Sequence, residues 1–228
     1  MFGPVPELDL RDVKRWFRSS KHILEDFEGY EDHFWSSGGA ESLATLCEDI
    51  SLSEERVINV YVPAYFCGQS LRFLRSPNIK LYFYPLNEKY LPESSSIISA
   101  SKINSVDVLV HVHYFGSIQG QEKSRSLADS LGAILIEDCA HIISPFIMNS
   151  FVGDYLIFSP HKHFPLPKSS LVISKNKTKL KLRKKKDRFP VLWFLKGLLK
   201  LIIRKRTPAK WGRIWSNNSE KLNSLDLN

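Results

Sequence analysis

The stretch VDVLVHVHYFGSIQGQEKSRSLADSLGAILIED, residues 106–138, decides the fold of this chain. It begins with an apolar run at Val106–His113 and ends with another at Ala133–Asp138. Between these runs, Glu122–Leu131 has the spacing of an amphipathic helix, and Gly132 follows as a residue that ends helices. A strand, a helix and a second strand in this order predict two parallel strands that are joined by a crossover helix.

The same alternation continues on both sides of this unit. Further apolar runs predict strands at Val57–Pro63, Ile79–Pro85, Tyr155–Ser159 and Leu171–Ser174, and two stretches predict helices at Ala40–Ile50 and Gln69–Arg75. Three of the strand runs are almost continuously apolar, which is typical of strands buried on both faces of a parallel sheet. The sequence therefore predicts an α/β fold, in which helices cover both faces of a mixed, mostly parallel sheet.

The charge distribution divides the chain into two parts. Residues 1–174 hold 15 Lys and Arg against 21 Asp and Glu, whereas residues 175–228 hold 17 against 3. In the second part, basic residues at four-residue spacing lie opposite an apolar face of one predicted helix. We expect a globular domain at residues 1–176 and a basic amphipathic helix with a tail at 177–228. That helix is too short and too charged to span a bilayer, which needs about 20 apolar residues.

The composition as a whole predicts a soluble globular protein, because 43% of the 228 residues are hydrophobic and 25% are charged. Several charges fall within the first twenty residues, so these do not form the apolar stretch of a secretory signal. The cysteines Cys47, Cys67 and Cys139 are dispersed, without a CxxC pair, which favours a reduced, cytoplasmic protein.

Candidate site residues follow the predicted strands. Tyr65 and Phe66 come after one strand, Asp138 ends another, and Ser159 and Lys162 lie at or after the end of a third. Ligands of parallel sheets bind beyond the carboxyl ends of the strands. We therefore expect these side chains to converge on one site.

Gly38, Gly39 and Ala40 open the helix predicted at 40–50, and they have two interpretations. The backbone N–H groups and the dipole of a helix N-terminus bind phosphate well, and glycines let a ligand approach closely. The ordinary alternative is a serine-capped helix start that is preceded by flexible glycines. Glu41, in the first turn, would repel a phosphate unless its carboxylate points away.

Asp138 and Lys162 are the charged candidates, and each also has an ordinary interpretation. A carboxylate at the end of a buried strand either caps the following turn or pairs with a cationic ring nitrogen. Burial of a lysine in a dry cleft disfavours its ammonium form, and its amine can then form a Schiff base with an aldehyde cofactor. The alternative for Lys162 is an exposed loop lysine.

The histidines suggest a metal site as a rival interpretation. His111, His113, His141, His161 and His163 all lie at or near the ends of predicted strands. Histidines and carboxylates at such positions bind zinc in many hydrolases, but histidines in α/β proteins are also common as hydrogen-bonded structural residues. We favour the structural interpretation and expect no metal.

Five segments, taken in order, resemble the DegT/DnrJ/EryC1/StrS aminotransferases: SSGGA, VPAY, VHYFG, IEDCAH and GDYLIFSPHK. The resemblance covers roughly residues 30–176. It implies the large domain of a fold type I enzyme that depends on pyridoxal 5'-phosphate (PLP). Many enzymes of this family transfer an amino group from a donor such as glutamate to a nucleotide-linked keto sugar. They are homodimers, in which the partner subunit completes each site.

The resemblance implies a role for each residue around the cofactor ring. Lys162 would form the Schiff base and would move the proton of the transamination. Asp138 would pair with the pyridinium nitrogen, so that the ring can act as an electron sink. Ala140 would pack on one face of the ring, and His141 would approach the 3-hydroxyl oxygen.

The resemblance also implies how the phosphate and the second ring face are bound. Ser159 and the backbone of Gly38–Ala40 would hold the phosphate. The family has an aromatic residue on the cofactor ring where this chain has Cys67, so Tyr65 or Phe66 would have to substitute. The family also has a C-terminal small domain, and we expect most of that domain to be missing here.

Three hypotheses about function are consistent with these patterns. The first is a PLP-dependent sugar aminotransferase that acts through Lys162. The second is a relative that keeps the fold but does not turn over. The third makes the basic residues 177–213 a surface for anionic lipid head groups or nucleic acid, and its ordinary alternative is a solvated helix.

Overall fold

The computed structural model describes residues 30–142, 151–163 and 169–176. The domain boundary that we predict after residue 176 and the basic segment 177–228 lie outside the described residues. Both therefore stay predictions, as does the contact of that segment with an anionic partner.

The described residues form seven strands, four α-helices and three 3₁₀ turns. The strands are β1 (Asp32–Ser36), β2 (Ile58–Pro63), β3 (Ile79–Tyr84), β4 (Val108–Val112), β5 (Ile134–Asp138), β6 (Tyr155–Phe158) and β7 (Ser170–Ser174). The helices are α1 (Gly39–Ser53), α2 (Gly68–Leu71), α3 (Ser94–Ser101) and α4 (Gln121–Leu131). The 3₁₀ turns are Arg72–Leu74, Tyr114–Gly116 and Pro160–Lys162.

All seven strands belong to one sheet, in the order β1-β7-β6-β5-β4-β2-β3. The strands from β6 to β3 pair in parallel, whereas β7 is antiparallel to both of its neighbours. The predicted mixed, mostly parallel sheet is therefore confirmed. Strands β2, β4, β5 and β6 end on the same side of the sheet, which we call its carboxyl end.

Helices cover both faces of the sheet, as predicted. Successive residues of a strand point to opposite faces, and in β2 Val60 packs into the cluster under α1 while Tyr61 packs into the cluster under α3 and α4. Leu46 of α1 and Leu127 of α4 lie in these two separate clusters. Since the central strands are apolar on both faces, they form the buried middle of the fold.

The sequence patterns miss β1 and α3. Strand β1 is short and only partly buried, and Trp35 is 46% exposed, so no apolar run marks it. Helix α3 begins with three serines and buries only Ile97, which gives it the composition of a loop. By contrast, the long helix α4 ends at Gly132 in the left-handed conformation that its sequence predicts.

Two smaller observations complete the fold. All three cysteines are free, and Cys47 and Cys139 are buried while Cys67 is exposed. Within the described ranges, no helix combines the length and the apolar character needed to cross a membrane.

Candidate functional site

Strand β1 brings the glycines of the candidate phosphate site next to Ser159. Ser36, the last residue of β1, pairs with Ser170, and the neighbouring Leu171 pairs with Phe158 at the end of β6. Helix α1 begins directly after this point. A Cβ atom added to Gly39 would lie 2.7 Å from the Ser159 hydroxyl oxygen. The absence of a side chain at Gly39 therefore leaves a narrow cradle between the first turn of α1 and the buried Ser159.

The first turn of α1 has the features of an anion-binding helix start. Its N-cap, Gly38, makes no side-chain capping bond to the first N–H groups of the helix. The Ser37 hydroxyl, directly before the N-cap, donates to Glu41 Oε2 at 2.6 Å on the exposed side. The Glu41 carboxylate therefore stays in the first turn of α1, where its charge opposes a phosphate. Glycine backbone, helix dipole and the Ser159 hydroxyl together fit a phosphate group.

Asp138 ends β5 between Val112 of β4 and Ile157 of β6. Its Oδ1 atom accepts the Ala140 N–H at 3.0 Å, which turns the chain after the strand. Among the described residues, no lysine, arginine or histidine forms an ion pair with Asp138. The half-buried carboxylate thus caps a turn, as one interpretation predicts, and its negative charge is not matched by a described cation.

The half-buried His141 lies within electrostatic reach of both Lys162 and Asp138. The pKa of His141 lies below its ordinary value, chiefly because the ring is half-buried and next because of the positive charge of Lys162, while the Asp138 carboxylate acts in the opposite direction. The Phe115 N–H donates to His141 Nδ1 at 3.3 Å. The neutral ring therefore carries its proton on Nε2, where it can donate to a ligand oxygen. Asp138 and His141 lie at and after the end of β5, and Lys162 follows the end of the neighbouring β6, while their roles stay predictions.

Lys162 occupies the last position of the 3₁₀ turn after β6, and its N–H donates to the Ser159 carbonyl oxygen at 3.0 Å. Its side chain is exposed, so the described residues do not enclose it in the dry cleft that the sequence analysis expects. The Cys67 thiol lies close by: burial raises its pKa, but hydrogen bonds with Ser70 and Gln69 and the charge of Lys162 lower it on balance.

The two candidate stacking residues are placed differently. Phe66 packs against the core cluster under α1, which directs its ring toward the interior. Tyr65 is 64% exposed and lies in a group of aromatic rings, 5.7 Å from Tyr114 and 6.0 Å from Tyr90 between centroids. Ala140, which would pack on the cofactor ring, is buried.

Sequence reasoning misses the aromatic neighbours of Tyr65. The Tyr114 hydroxyl donates to the Tyr65 carbonyl oxygen at 2.7 Å, and the exposed Phe115 stacks on His141 with an interplanar angle of 22°. The signal for Tyr114 and Phe115 is their position directly after β4, at the carboxyl end of the sheet. Tyr90 lies in the loop after β3 and has no comparable signal.

A second polar group lies deeper, and we call His111, His113 and Glu137 the inner network. His113 Nε2 is 2.5 Å from Glu137 Oε2, and both side chains are fully buried. Glu137 Oε1 accepts the backbone N–H groups of Val152 and Gly153. His111 Nδ1 is 2.8 Å from the Ser124 hydroxyl. Each member thus bonds to protein atoms.

The geometry does not support the metal interpretation. Within the described residues, no group of three or more His, Cys, Asp and Glu side chains is arranged to hold a metal ion. His161 and His163, like the inner histidines, contact backbone or side-chain atoms of the protein. These contacts are typical of hydrogen-bonded structural histidines, and the expectation of no metal stays a prediction.

Solved structures share this fold. The chain matches the aminotransferase PseC of Helicobacter pylori, which is involved in the biosynthesis of pseudoaminic acid, with a TM-score of 0.60 and 16% identity over 75% of this chain and 51% of that one. It also matches a DegT DnrJ EryC1 StrS aminotransferase from Brucella abortus, with a TM-score of 0.54 and 17% identity over 75% and 50%. The fold is that of the PLP-dependent transferases.

A third match is DesV of S. venezuelae, solved in complex with a ketimine intermediate, with a TM-score of 0.53 and 17% identity over 75% of this chain and 54% of that one. The resemblance to DegT/DnrJ/EryC1/StrS aminotransferases is thus confirmed at the level of the PLP-dependent transferase fold. The chain spans about half the length of these structures. No protein-family model and no curated sequence matches it.

Proposed function

We propose that this chain binds PLP and belongs to an aminotransferase that acts on a keto sugar. The observation that supports the proposal is the position of Asp138 and Lys162 at the carboxyl ends of the paired strands β5 and β6, with the cradle between Gly39 and Ser159 beside the Lys162 turn. An amine, a carboxylate and an anion-binding helix start are the groups that an aldehyde, a pyridine nitrogen and a phosphate require.

Each residue of the site has a task that follows from its chemistry. When bound, PLP supplies a cationic ring that withdraws electrons from the substrate carbon. The Asp138 carboxylate holds the proton on the ring nitrogen, because an opposite charge nearby favours the protonated form. Lys162 would hold the cofactor through its Nζ atom at the aldehyde carbon, with release of water, and the amine, once displaced by an incoming substrate amine, would move the proton at the substrate carbon. Ser159 and the N–H groups of α1 bind the phosphate, and the Nε2–H group of His141 donates to the 3-hydroxyl oxygen.

The substrate assignment draws on the family resemblance and on the named activity of the matched structures. We propose a nucleotide-linked keto sugar as the amino acceptor and glutamate as the donor. The exposed rings of Tyr65 and Phe115 both contact Tyr90, and Phe115 stacks on His141, so these rings would supply an apolar surface on which a sugar ring can pack.

We further propose a homodimer. Lys162 and Tyr65 are exposed in the single chain, whereas transamination needs a site from which water is excluded. A second copy that covers this end of the sheet would supply the missing enclosure. Sedimentation with PLP should give a dimer, and a strictly monomeric species that turns over keto sugar would contradict this part of the proposal.

The binding of PLP to Lys162 is tested by reductive trapping. Purified protein is mixed with PLP and treated with borohydride, and peptide mass spectrometry locates the reduced adduct. We expect the adduct on Lys162, its loss in Lys162→Ala, and its retention in Lys80→Ala, which removes an exposed lysine from β3. Trapping that persists undiminished in Lys162→Ala, or is absent from the unmodified chain, would overturn the proposal.

A PLP-binding relative without turnover is the second candidate, and the exposure of Lys162 favours it. The two candidates differ in the half-reaction with an amino donor. A chain that traps PLP on Lys162 but leaves the cofactor in its aldehyde form with glutamate and every other donor tested would be such a relative. Conversion of the bound cofactor to its amine form by one donor would identify an aminotransferase.

A further inference from the structure

The turn that carries Lys162 is held by a histidine on each side. His161 Nδ1 lies 2.7 Å from the carbonyl oxygen of Ser169 and 3.3 Å from its backbone nitrogen, so either tautomer bonds to the chain just before β7. His163 Nε2 lies 3.2 Å from the carbonyl oxygen of Ala140. Because a carbonyl oxygen only accepts, this Nε2 carries a proton and donates it. One histidine ties the turn toward β7, and the other ties it to the segment after β5.

Ala140 connects the second of these contacts to Asp138. Its N–H donates to Asp138 Oδ1 at 3.0 Å, while its carbonyl oxygen accepts from His163. Each of the two peptide groups that meet at the Cα atom of Ala140 is planar, and burial of Ala140 limits their rotation about that atom. The bonds from Asp138 through Ala140 to His163 therefore form a short bridge, and Lys162 directly precedes His163 in the chain.

We propose that His163 is a positioning residue, which sets the separation of Lys162 from Asp138 through the backbone of Ala140. The purpose of this separation rests on the proposed function, because one cofactor ring has to reach both side chains. The bridge itself is a property of this chain. Its effect concerns Lys162 in particular, since the long and exposed lysine side chain has many rotamers when its backbone is not held.

His141 serves as an internal probe of where Lys162 lies. The pKa of its half-buried ring responds to the charges of Lys162, Asp138 and His163. A turn that is released from Ala140 moves the Lys162 ammonium away from His141, and the His141 pKa then rises toward its ordinary value. This readout requires no cofactor, and a general loss of stability does not by itself change it in the folded protein.

The experiment is a titration of His141 by NMR of histidine-labelled protein, without added PLP. His163→Gln keeps an amide donor near the position of Nε2, whereas His163→Phe fills the space without a donor, and both remove the imidazole charge. Each variant is compared in the Lys162 background and in a Lys162→Met background. If His163→Phe does not fold, His163→Leu is used in its place as the variant without a hydrogen-bond donor.

We expect the His141 pKa to be higher in His163→Phe than in His163→Gln when Lys162 is present, and the two variants to agree when Lys162→Met removes the charge. Equal values in the Lys162 background, or a difference that survives in Lys162→Met, would overturn the inference. The difference between the two backgrounds is the signature of His163 acting through Lys162, because any direct effect of the substitution on His141 appears in both.

Reductive trapping of PLP provides the second measurement. In the same two variants, trapping on Lys162 should be at least about tenfold slower in His163→Phe than in His163→Gln, because a misplaced reacting group loses rate steeply. If the unmodified chain traps no PLP but the titrations behave as expected, the proposed function fails and the positioning role stands. If trapping is equally fast in both variants and the titrations coincide, the positioning role fails and the proposed function stands.

Discussion

Glu137 and Asp138 are consecutive carboxylates on β5, and they lie in opposite environments. Glu137 is fully buried, and its two oxygens accept from His113, Val152 and Gly153. Burial raises the pKa of Glu137, but these hydrogen bonds more than compensate and hold it below its ordinary value. Asp138 is half-buried at the end of the strand, where it caps one turn and has no described ion-pair partner. Strand alternation therefore separates a carboxylate that stabilises the fold from one whose charge remains for a ligand.

The histidines show the same division. His111 and His113 belong to the inner network and are each 1% exposed, whereas His141 is half-buried and faces Lys162. The chemical groups of the two regions are alike, so residue type alone does not distinguish them. The difference lies in the partners. The inner histidines bond to Ser124 and Glu137 through one ring nitrogen each, and the other nitrogens, His111 Nε2 and His113 Nδ1, are buried without a hydrogen-bond partner among the described residues. A titratable group beside solvent is the better candidate for contact with a ligand.

The largest expected effect on stability comes from truncating the two adjacent carboxylates, Glu137 and Asp138, one at a time. Glu137→Ala should lower the free energy of unfolding by about 3–5 kcal/mol, because it leaves His113 and two buried N–H groups without their acceptor. Asp138→Ala, the matched control, should cost no more than about 1 kcal/mol, since it removes one turn-capping bond. Urea denaturation measures both values. Losses of similar size would show that the distinction between the inner network and the site is wrong.

The pH dependence of stability tests the inner network with an effect of intermediate size. Burial and the neighbouring His113 lower the pKa of His111 from 6.5 to about 4. Between these pH values the His111 imidazole binds a proton in the unfolded chain but not in the folded chain. The free energy of unfolding should therefore fall by up to about 3 kcal/mol as the pH decreases from 6.5 to 4.

The variant His111→Asn tests whether His111 causes this dependence of the unfolding free energy on pH. His111→Asn keeps a polar contact to Ser124 but does not titrate, so its stability should depend much less on pH in this range. A smaller slope of the same sign remains from His141, whose pKa is also lowered. Glu137 contributes mainly below pH 4.5, because its folded-state pKa lies under that ordinary value. Equal slopes in the variant and the unmodified chain would refute the role of His111.

The smallest effect is expected at the exposed rings. Tyr65→Ala should change the free energy of unfolding by no more than about 0.5 kcal/mol, because the side chain is 64% exposed and Tyr114 bonds to the backbone of Tyr65 rather than to its ring. The same denaturation measurement applies. A loss as large as that of Glu137→Ala would mean that the exposed aromatic group is part of the stabilising core.

Much of the fold could be predicted because its strongest signals are local. Three of the strand runs are almost continuously apolar, a pattern that is typical of strands buried on both faces of a parallel sheet. Strand β1 has no such signal, since among the described strands it pairs with β7 alone and is partly exposed. Its position depends on β7, which is distant in sequence, so no local pattern reveals it.

The site was predicted in its residue types and only partly in its arrangement. The sequence predicts Lys162 and Asp138 as site residues because both lie at the ends of predicted parallel strands, which meet at one side of the sheet, and their roles stay predictions. The histidines beside Lys162 looked like metal ligands or ordinary structural residues. Only the contacts of His163 with Ala140, and of Ala140 with Asp138, indicate a positioning role.

The sequence by itself determined which segments form the parallel sheet and which polar residues lie at its carboxyl end, because burial on two faces and strand direction are both encoded locally. The tertiary structure alone decided which of these residues meet. Pairing of β1 with β7 brings Gly39 against Ser159, and strand alternation buries Glu137 while leaving Asp138 beside His141. Such contacts join residues that are far apart in the chain, and their geometry is fixed by packing and register rather than by any neighbouring pattern.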